Sequence, residues 1–370
     1  MFVRWDEQLV ENDLRLPGVG DGTVVRTFDA PEAMGINFHE VRARSALNHV
    51  PGGRYGFNWT INPYRGCSHA CVYCYARRTH TYLDMDAGRD FEREIVVKVN
   101  VPELLRAELA RPSWERELVA LGTNTDPYQW VESRYRMMPE ILAALEAAET
   151  PVSVLTKSPL VMRDVKIFKR MAKKKLPVSV NLSVPTLDED AWRATEPHTP
   201  SPAARLDAVA ELRRLGIDSG VLIAPLMPGI NDHPDQVRPI IERAKKAKAT
   251  FLGGVALHLR DEVKDVFFAW LEEKRPDLLP RYEALYRGRA YLRPEQRKHA
   301  TRAVRSWGRN RLRRSLADRS EASAGSSSRE GTSRAGGGGA GVPRGAEGAQ
   351  RPSTVGEAAP TGPARQSSLF

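Results

Sequence analysis

Between residues 51 and 273 short apolar runs alternate with longer amphipathic segments, and this rhythm constrains the fold more than any other feature of the chain. Strand candidates fall at 58–62, 118–123, 152–156, 178–183, 219–224 and 251–257. Each leads into a stretch of helical periodicity, as at 136–148, 160–174, 203–215, 233–248 and 262–273. Right-handed crossovers place each new strand beside the last, so serial βα units build a parallel sheet. The expectation is an α/β fold, a partial (β/α)6 TIM-like barrel, with a flat doubly wound sheet as the competing layout. Either arrangement collects ligands at the C-terminal strand ends, which makes the residues just after these strands the first to inspect.

The three cysteines, Cys67, Cys71 and Cys74, lie within eight residues, directly after the first strand candidate. An odd number so closely spaced cannot build the disulfide framework of a secreted protein. The N-terminus lacks a basic-then-apolar leader, and the longest apolar run, 220–226, is broken by Pro225 and Pro228. The location expected is therefore a reducing cytoplasm, without a membrane span. Three thiolates on one short loop can hold three irons of a cubane cluster and leave the fourth iron open. A zinc knuckle completed by His69 competes with this reading, although structural zinc normally closes with four ligands at other spacings. A Cys71–Cys74 redox dithiol would leave Cys67 without a role.

The stretch Asn62-Pro63-Tyr64-Arg65-Gly66-Cys67-Ser68-His69-Ala70-Cys71-Val72-Tyr73-Cys74-Tyr75-Ala76-Arg77 contains C-x3-C-x2-C after the first strand. It resembles the radical S-adenosylmethionine (radical SAM) superfamily. With Thr123-Asn124-Thr125-Asp126-Pro127-Tyr128-Gln129, Thr156-Lys157-Ser158, and Glu196-Pro197 followed by Arg205-Leu206, it resembles more narrowly the spore photoproduct lyase-like branch. The resemblance spans about residues 46–273 and implies a barrel of the radical SAM type. It further implies a [4Fe-4S] cluster on Cys67, Cys71 and Cys74, whose open iron is chelated by the amino and carboxylate groups of S-adenosylmethionine. Reduction by a low-potential electron donor of the flavodoxin or ferredoxin type would release methionine and a hydrogen-abstracting 5′-deoxyadenosyl radical.

By the same resemblance Thr125 and Asp126 receive the cofactor's ammonium, Lys157 and Ser183 grip its carboxylate, Tyr73 offers main chain to the adenine, and Asn181 meets the ribose hydroxyls. Each has a plainer reading: Thr125-Asp126-Pro127 as a helix cap and turn, Lys157 as a loop lysine, Ser183 as a turn residue before Pro185. Glu196 and Arg205 read as an ion pair that orients a loop, while His258 and Arg260 fall at the expected substrate end, with a core or capping histidine as the plainer reading of His258. The characterised lyase of this branch uses an additional cysteine as hydrogen-atom donor. No cysteine remains here for that step, which argues against photoproduct lyase activity and leaves Tyr64, Tyr75 and Tyr128 as candidate donors. The function expected is radical chemistry in DNA repair or nucleic-acid modification. Modification of a small molecule or peptide, and a non-catalytic metal-knuckle DNA-binding protein, are the alternatives.

The net charge of +10 is unevenly placed. Segment 297–314 holds eight Lys and Arg and no acid, whereas residues 1–296 contribute only +1. Helical spacing puts Lys298, Arg302, Arg305 and Arg309 on one face, with Ala300, Val304 and Trp307 on the other, ready to dock. Such a stripe suits a phosphate backbone, so DNA is expected to bind through 297–314. From residue 315 Ser, Gly, Ala and Pro dominate, the composition of a disordered tail. It ends Gln366-Ser367-Ser368-Leu369-Phe370, similar to the pentapeptide by which bacterial DNA-processing proteins dock on the replicative sliding clamp. The organisation expected is an N-terminal extension 1–50, a core domain 51–296, a basic helical segment 297–314 and a tail 315–370.

Overall fold

A computed structural model describes residues 24–50 and 56–305, together with the strand path of Gln8–Glu11. Twelve strands follow in chain order: β1 (Gln8–Glu11), β2 (Val24–Phe28), β3 (Asn37–Val41), β4 (Leu47–His49), β5 (Trp59–Ile61), β6 (Tyr64–Arg65), β7 (Glu94–Lys98), β8 (Val119–Leu121), β9 (Val152–Thr156), β10 (Val178–Ser183), β11 (Asp218–Leu226) and β12 (Phe251–Ala256). The main sheet runs β4-β5-β8-β9-β10-β11-β12. β5 and β8 to β12 are mutually parallel, and β4 lies antiparallel on β5. Among the described residues β4 and β12 do not pair, so six parallel strands form an open barrel rather than a closed one. The strand order equals the chain order, which is the partial (β/α)6 barrel expected and excludes the doubly wound alternative, whose order reverses midway.

The crossover helices follow the sequence periodicity closely. Met137–Ala147, Pro202–Arg214 and Pro234–Lys246 each return the chain to the next strand, and Glu262–Lys274 follows β12, the last of the described strands. Local signals set their ends: Ser201 Oγ accepts from Ala204 N ahead of Pro202 at the first helical position. Segment 160–174 is not a single helix but a 3-10 turn, Pro159–Asp164, and then a helix, Val165–Lys173. The break falls where the Asp164 carboxylate is drawn away to Tyr128 Oη (3.0 Å) and the Arg163 guanidinium.

Along β9 and β10 buried residues alternate with half-buried ones. Val152, Val154, Val178, Val180 and Leu182 face the helices in the main core, whereas Ser153, Leu155 and Asn181 line the concave side. Small and polar residues there leave room that a closed barrel would fill with layers of large apolar side chains.

A second sheet, β1-β2-β3-β7-β6, was not anticipated. Residues 24–50, expected as an extension, supply β2 and β3 to it and β4 to the main sheet. β3 and β7 run parallel, and Phe38, Ile95 and Val97 are buried between the sheets. Because β6 and β7 flank the cysteine loop in the chain, this sheet carries that loop's outer side.

At the other end a helix spans Pro294–Ala300 and helical turns continue over 302–305. Ala300 and Val304 are buried, Val304 over Gly254 of β12, while Lys298, Arg302 and Arg305 are exposed. Over 298–305 the apolar side packs inward and the basic side faces solvent. Trp307, Arg309, the remainder of 297–314, the tail from 315 and the pentapeptide 366–370 lie outside the described residues.

Candidate active site

The cysteine loop leaves β6 through Gly66, whose φ of +83° suits glycine, and a Cβ there would stand 2.9 Å from the Phe91 carbonyl oxygen and the Ile95 side chain. Hydrogen bonds tie the loop on both sides. Cys67 N donates to Phe91 O (3.0 Å) and Ser68 N to Gln129 Oε1 (2.9 Å). The fully buried Gln129 returns its amide to Gly66 O (3.1 Å), which also accepts from Thr125 Oγ1 (2.6 Å). Beneath the loop lies Arg77, wholly buried. Its guanidinium donates to Ala70 O (3.1 Å), Cys71 O (3.0 Å), Ala87 O (3.1 Å) and Gly88 O (2.7 Å), and pairs with Glu92. These hydrogen bonds fix the backbone of the loop.

Burial pushes the Cys71 thiol up to about 12 and raises Cys67 and Cys74 as well, with Arg77 opposing the rise at Cys74. Such thiols become thiolates when a cation arrives to compensate the charge. His69 is turned to Asp126, its Nδ1 3.4 Å from the carboxylate. Among the described residues no three of His, Cys, Asp and Glu converge as ligands of one ion. Three irons taking one thiolate each need no such convergence.

The opposite wall is built at the ends of β8, β9 and β10. Asp126 accepts from Thr156 Oγ1 (2.6 Å), Lys157 N (2.7 Å) and Tyr128 N (2.9 Å), and thereby pins the end of β8 to that of β9. Thr125 and Asp126 sit against the cysteine loop with their polar atoms engaged by Gly66, Thr156, Lys157 and Tyr128. Lys157 Nζ reaches Ser183 Oγ (2.9 Å) and Glu196 Oε1 (2.7 Å), 5.6 Å from the Tyr73 ring centre. Lys157 and Ser183 thus meet, 26 residues apart in sequence.

Glu196 is the hub of this wall. It is fully buried, pairs with Arg205 at 2.7 Å as well as with Lys157, and accepts from the Tyr73 hydroxyl. Burial alone would raise its carboxyl, yet the Lys157 and Arg205 cations and the bonds from Lys157 and Tyr73 outweigh burial and hold it at about 2. Arg205, equally buried, donates to Ser183 O (2.9 Å) and Pro200 O (2.9 Å). The expected Glu196–Arg205 ion pair is present, but it fixes Lys157 and Tyr73 rather than only a loop. Asn181 lies two residues before Ser183, and its Oδ1 is buried without a hydrogen-bond partner.

The tyrosines divide. Tyr64 donates to Glu132 (2.5 Å) and Tyr128 to Asp164, both deep in the core. Tyr75 is half exposed, donates to Thr123 O at the end of β8, and lies 5.7 Å from the His258 ring beyond β12. It crosses the open mouth of the barrel. Arg260 is exposed, beside Asp261. Gln129 and Arg77 were not singled out from sequence, although each closes a quoted motif; nothing local marks a polar side chain that will be buried.

The family model described as the radical SAM superfamily matches residues 61–244. The chain belongs to the radical SAM superfamily. An uncharacterized protein of Mycobacterium tuberculosis is 45% identical over 302 residues, covering 80% of this chain and 88% of that protein. A radical SAM Nalpha-GlyT isomerase of Pseudomonas phage M6 is 27% identical over 182 residues, 49% of this chain and 35% of the isomerase. Among solved structures, spore photoproduct lyase complexed with dinucleoside spore photoproduct superposes with a TM-score of 0.55 at 16% identity, covering 73% of this chain and 78% of the lyase. That likeness is one of fold. For this radical SAM protein it matches the open barrel described above. No described helix is long and apolar enough to cross a membrane.

Proposed function

We propose that this radical SAM protein cleaves S-adenosylmethionine reductively on a [4Fe-4S] cluster and abstracts hydrogen from a nucleic acid. The observation that carries the reading is the cysteine loop itself: three thiols on a backbone locked by Arg77 and Gln129, beside a lysine whose charge is felt at Cys71 and Cys74. Cys67, Cys71 and Cys74 would hold the cluster, and cluster and cofactor together supply one-electron cleavage of the sulfonium to a 5′-deoxyadenosyl radical.

The chain's own residues fit that cofactor. A lysine ammonium has three donors; Ser183 and Glu196 occupy two, which leaves one for a carboxylate. Glu196 keeps the ammonium aimed and Arg205 keeps Glu196 ionised. The orphaned Asn181 Oδ1 on the concave face suits a ribose hydroxyl donor. For the ammonium, Thr125 and Asp126 are already engaged, so the half-buried Asn124 beside them is the better-placed acceptor.

Two features favour nucleic acid as substrate: the eight Lys and Arg without an acid in segment 297–314, and the dinucleoside in the solved lyase complex. Without a further cysteine, Tyr75 is the one of the three tyrosines placed at the barrel mouth, where it could return a hydrogen atom. A low-potential flavodoxin or ferredoxin in a reducing cytoplasm would provide the electron. Anaerobic reconstitution should yield close to four irons per chain, and 5′-deoxyadenosine on reduction with S-adenosylmethionine. Zinc alone, with no cofactor cleavage, refutes the proposal. Deuterium passing from labelled DNA into 5′-deoxyadenosine tests the substrate, and transfer only from a peptide or small molecule refutes that part.

A further inference from the structure

Beside the barrel mouth, away from the cysteine loop, lies a polar cleft of about 280 Å³. Its walls come from the loop 227–233 after β11, the helix Leu279–Tyr286 and the end of the helix Pro294–Ala300. Arg281 and Arg302 both line it, with His299, Gln236 and Asp232. Among the described residues Arg281 makes no hydrogen bond or ion pair, and Arg302 meets only the His299 ring at 3.3 Å, not a carboxylate. Asp232 spends one oxygen on Gly229 N (2.7 Å). Both guanidiniums are exposed and make no ion pair among the described residues, so an anion lying between them would take a charge-assisted hydrogen bond from each.

The backbone is shaped to let one of them in. Gly229 has a φ of +86°, and a Cβ there would stand 2.8 Å from Arg281 Nη1. Any other residue would be strained and would push the guanidinium aside. The cleft is too small and too polar for a drug-sized apolar ligand but suits one tetrahedral oxyanion. It opens at the same end of the barrel as the cysteine loop, and Arg302 belongs to the basic segment that continues to residue 314.

We propose that this cleft grips one phosphate of a nucleic-acid backbone between Arg281 and Arg302, and so fixes the strand relative to the barrel mouth. The inference rests on nucleic acid being the substrate and names where its backbone is held. Free phosphate offers the same chemistry, so the test separates the two sources.

A labelled oligonucleotide is titrated by fluorescence anisotropy with the full chain over a range of salt. R281Q and R302Q should each weaken binding about tenfold, the loss of a charge-assisted contact. Each should flatten the dependence of log K on log salt by up to about 0.9. If both grip one phosphate, R281Q/R302Q flattens it by about one contact, not two. R281K should retain part of the affinity, and all variants should keep uncoupled 5′-deoxyadenosine formation, which shows that they are folded. Unchanged affinity and salt slope in R281Q, with binding lost in R309Q/R311Q/R313Q, overturns the cleft while leaving nucleic acid as substrate. No oligonucleotide binding by the unaltered protein, with inorganic phosphate raising its Tm but not that of R281Q, overturns the nucleic-acid source.

Discussion

Replacing Glu196 by Gln tests the architecture of the proposed cofactor wall. E196Q keeps volume and shape but removes the negative charge between Lys157 and Arg205. Two independent routes give its cost. The carboxyl is held at about 2 against an ordinary 4.5, and at about 1.4 kcal/mol per pKa unit this corresponds to about 3 kcal/mol of folding free energy at neutral pH. Breaking a buried ion pair by removing one partner costs about 3–5 kcal/mol, because the stranded charges stay desolvated. Both apply without reduction for solvent, since Glu196 and Arg205 are each 0% exposed.

The assay is urea unfolding of the metal-free protein, followed by tryptophan fluorescence. At pH 7 E196Q should be less stable by about 3 kcal/mol. The sign with pH follows from the depressed value: the contribution is complete above 4.5 and is lost as pH falls towards 2, so the gap between the two proteins narrows in that window and not at higher pH. A gap below about 1 kcal/mol at pH 7, the size of an ordinary exposed pair, would refute the reasoning. So would a gap as wide at pH 3 as at pH 7.

Three further outcomes are expected. N181L should leave the metal-free protein as stable or more stable by up to about 1 kcal/mol, because it removes a buried acceptor that has no partner; calorimetry on the reconstituted protein should nevertheless show weaker S-adenosylmethionine binding, and unchanged affinity would exclude Asn181 from the ribose. R77M strands four loop carbonyls and Glu92 and should cost more than about 3 kcal/mol, with iron uptake lost; normal iron content in a folded variant would refute the role of Arg77. A free peptide of residues 366–370 should bind purified sliding clamp, and no detectable binding at high micromolar peptide would refute the resemblance on which that expectation stands.

Much of the fold was legible because burial writes itself into local pattern. The runs 152–156 and 178–183 coincide with β9 and β10 to the residue, since strands in a parallel sheet must be apolar toward their helices whatever lies elsewhere. The second sheet was not legible: β3 and β7 pair across 52 intervening residues, and β3, Asn37–Val41, carries Asn, His and Glu whose partners lie far along the chain, as Glu94 does for Asn37 and His39 and Tyr135 for Glu40.

By itself, then, the sequence determined the succession of βα units, the three-thiol loop, the superfamily resemblance and the concentration of charge in 297–314, because each is carried by neighbours along the chain. Tertiary structure alone decided that Asp126 pins two strands, that Glu196 governs Lys157 and Tyr73, that Arg77 underlies the loop, and that Arg281 and Arg302 share a cleft. Those are relations between charged or polar groups far apart in sequence. Their energies depend on burial and distance, and neither exists until the strands and helices have closed around them.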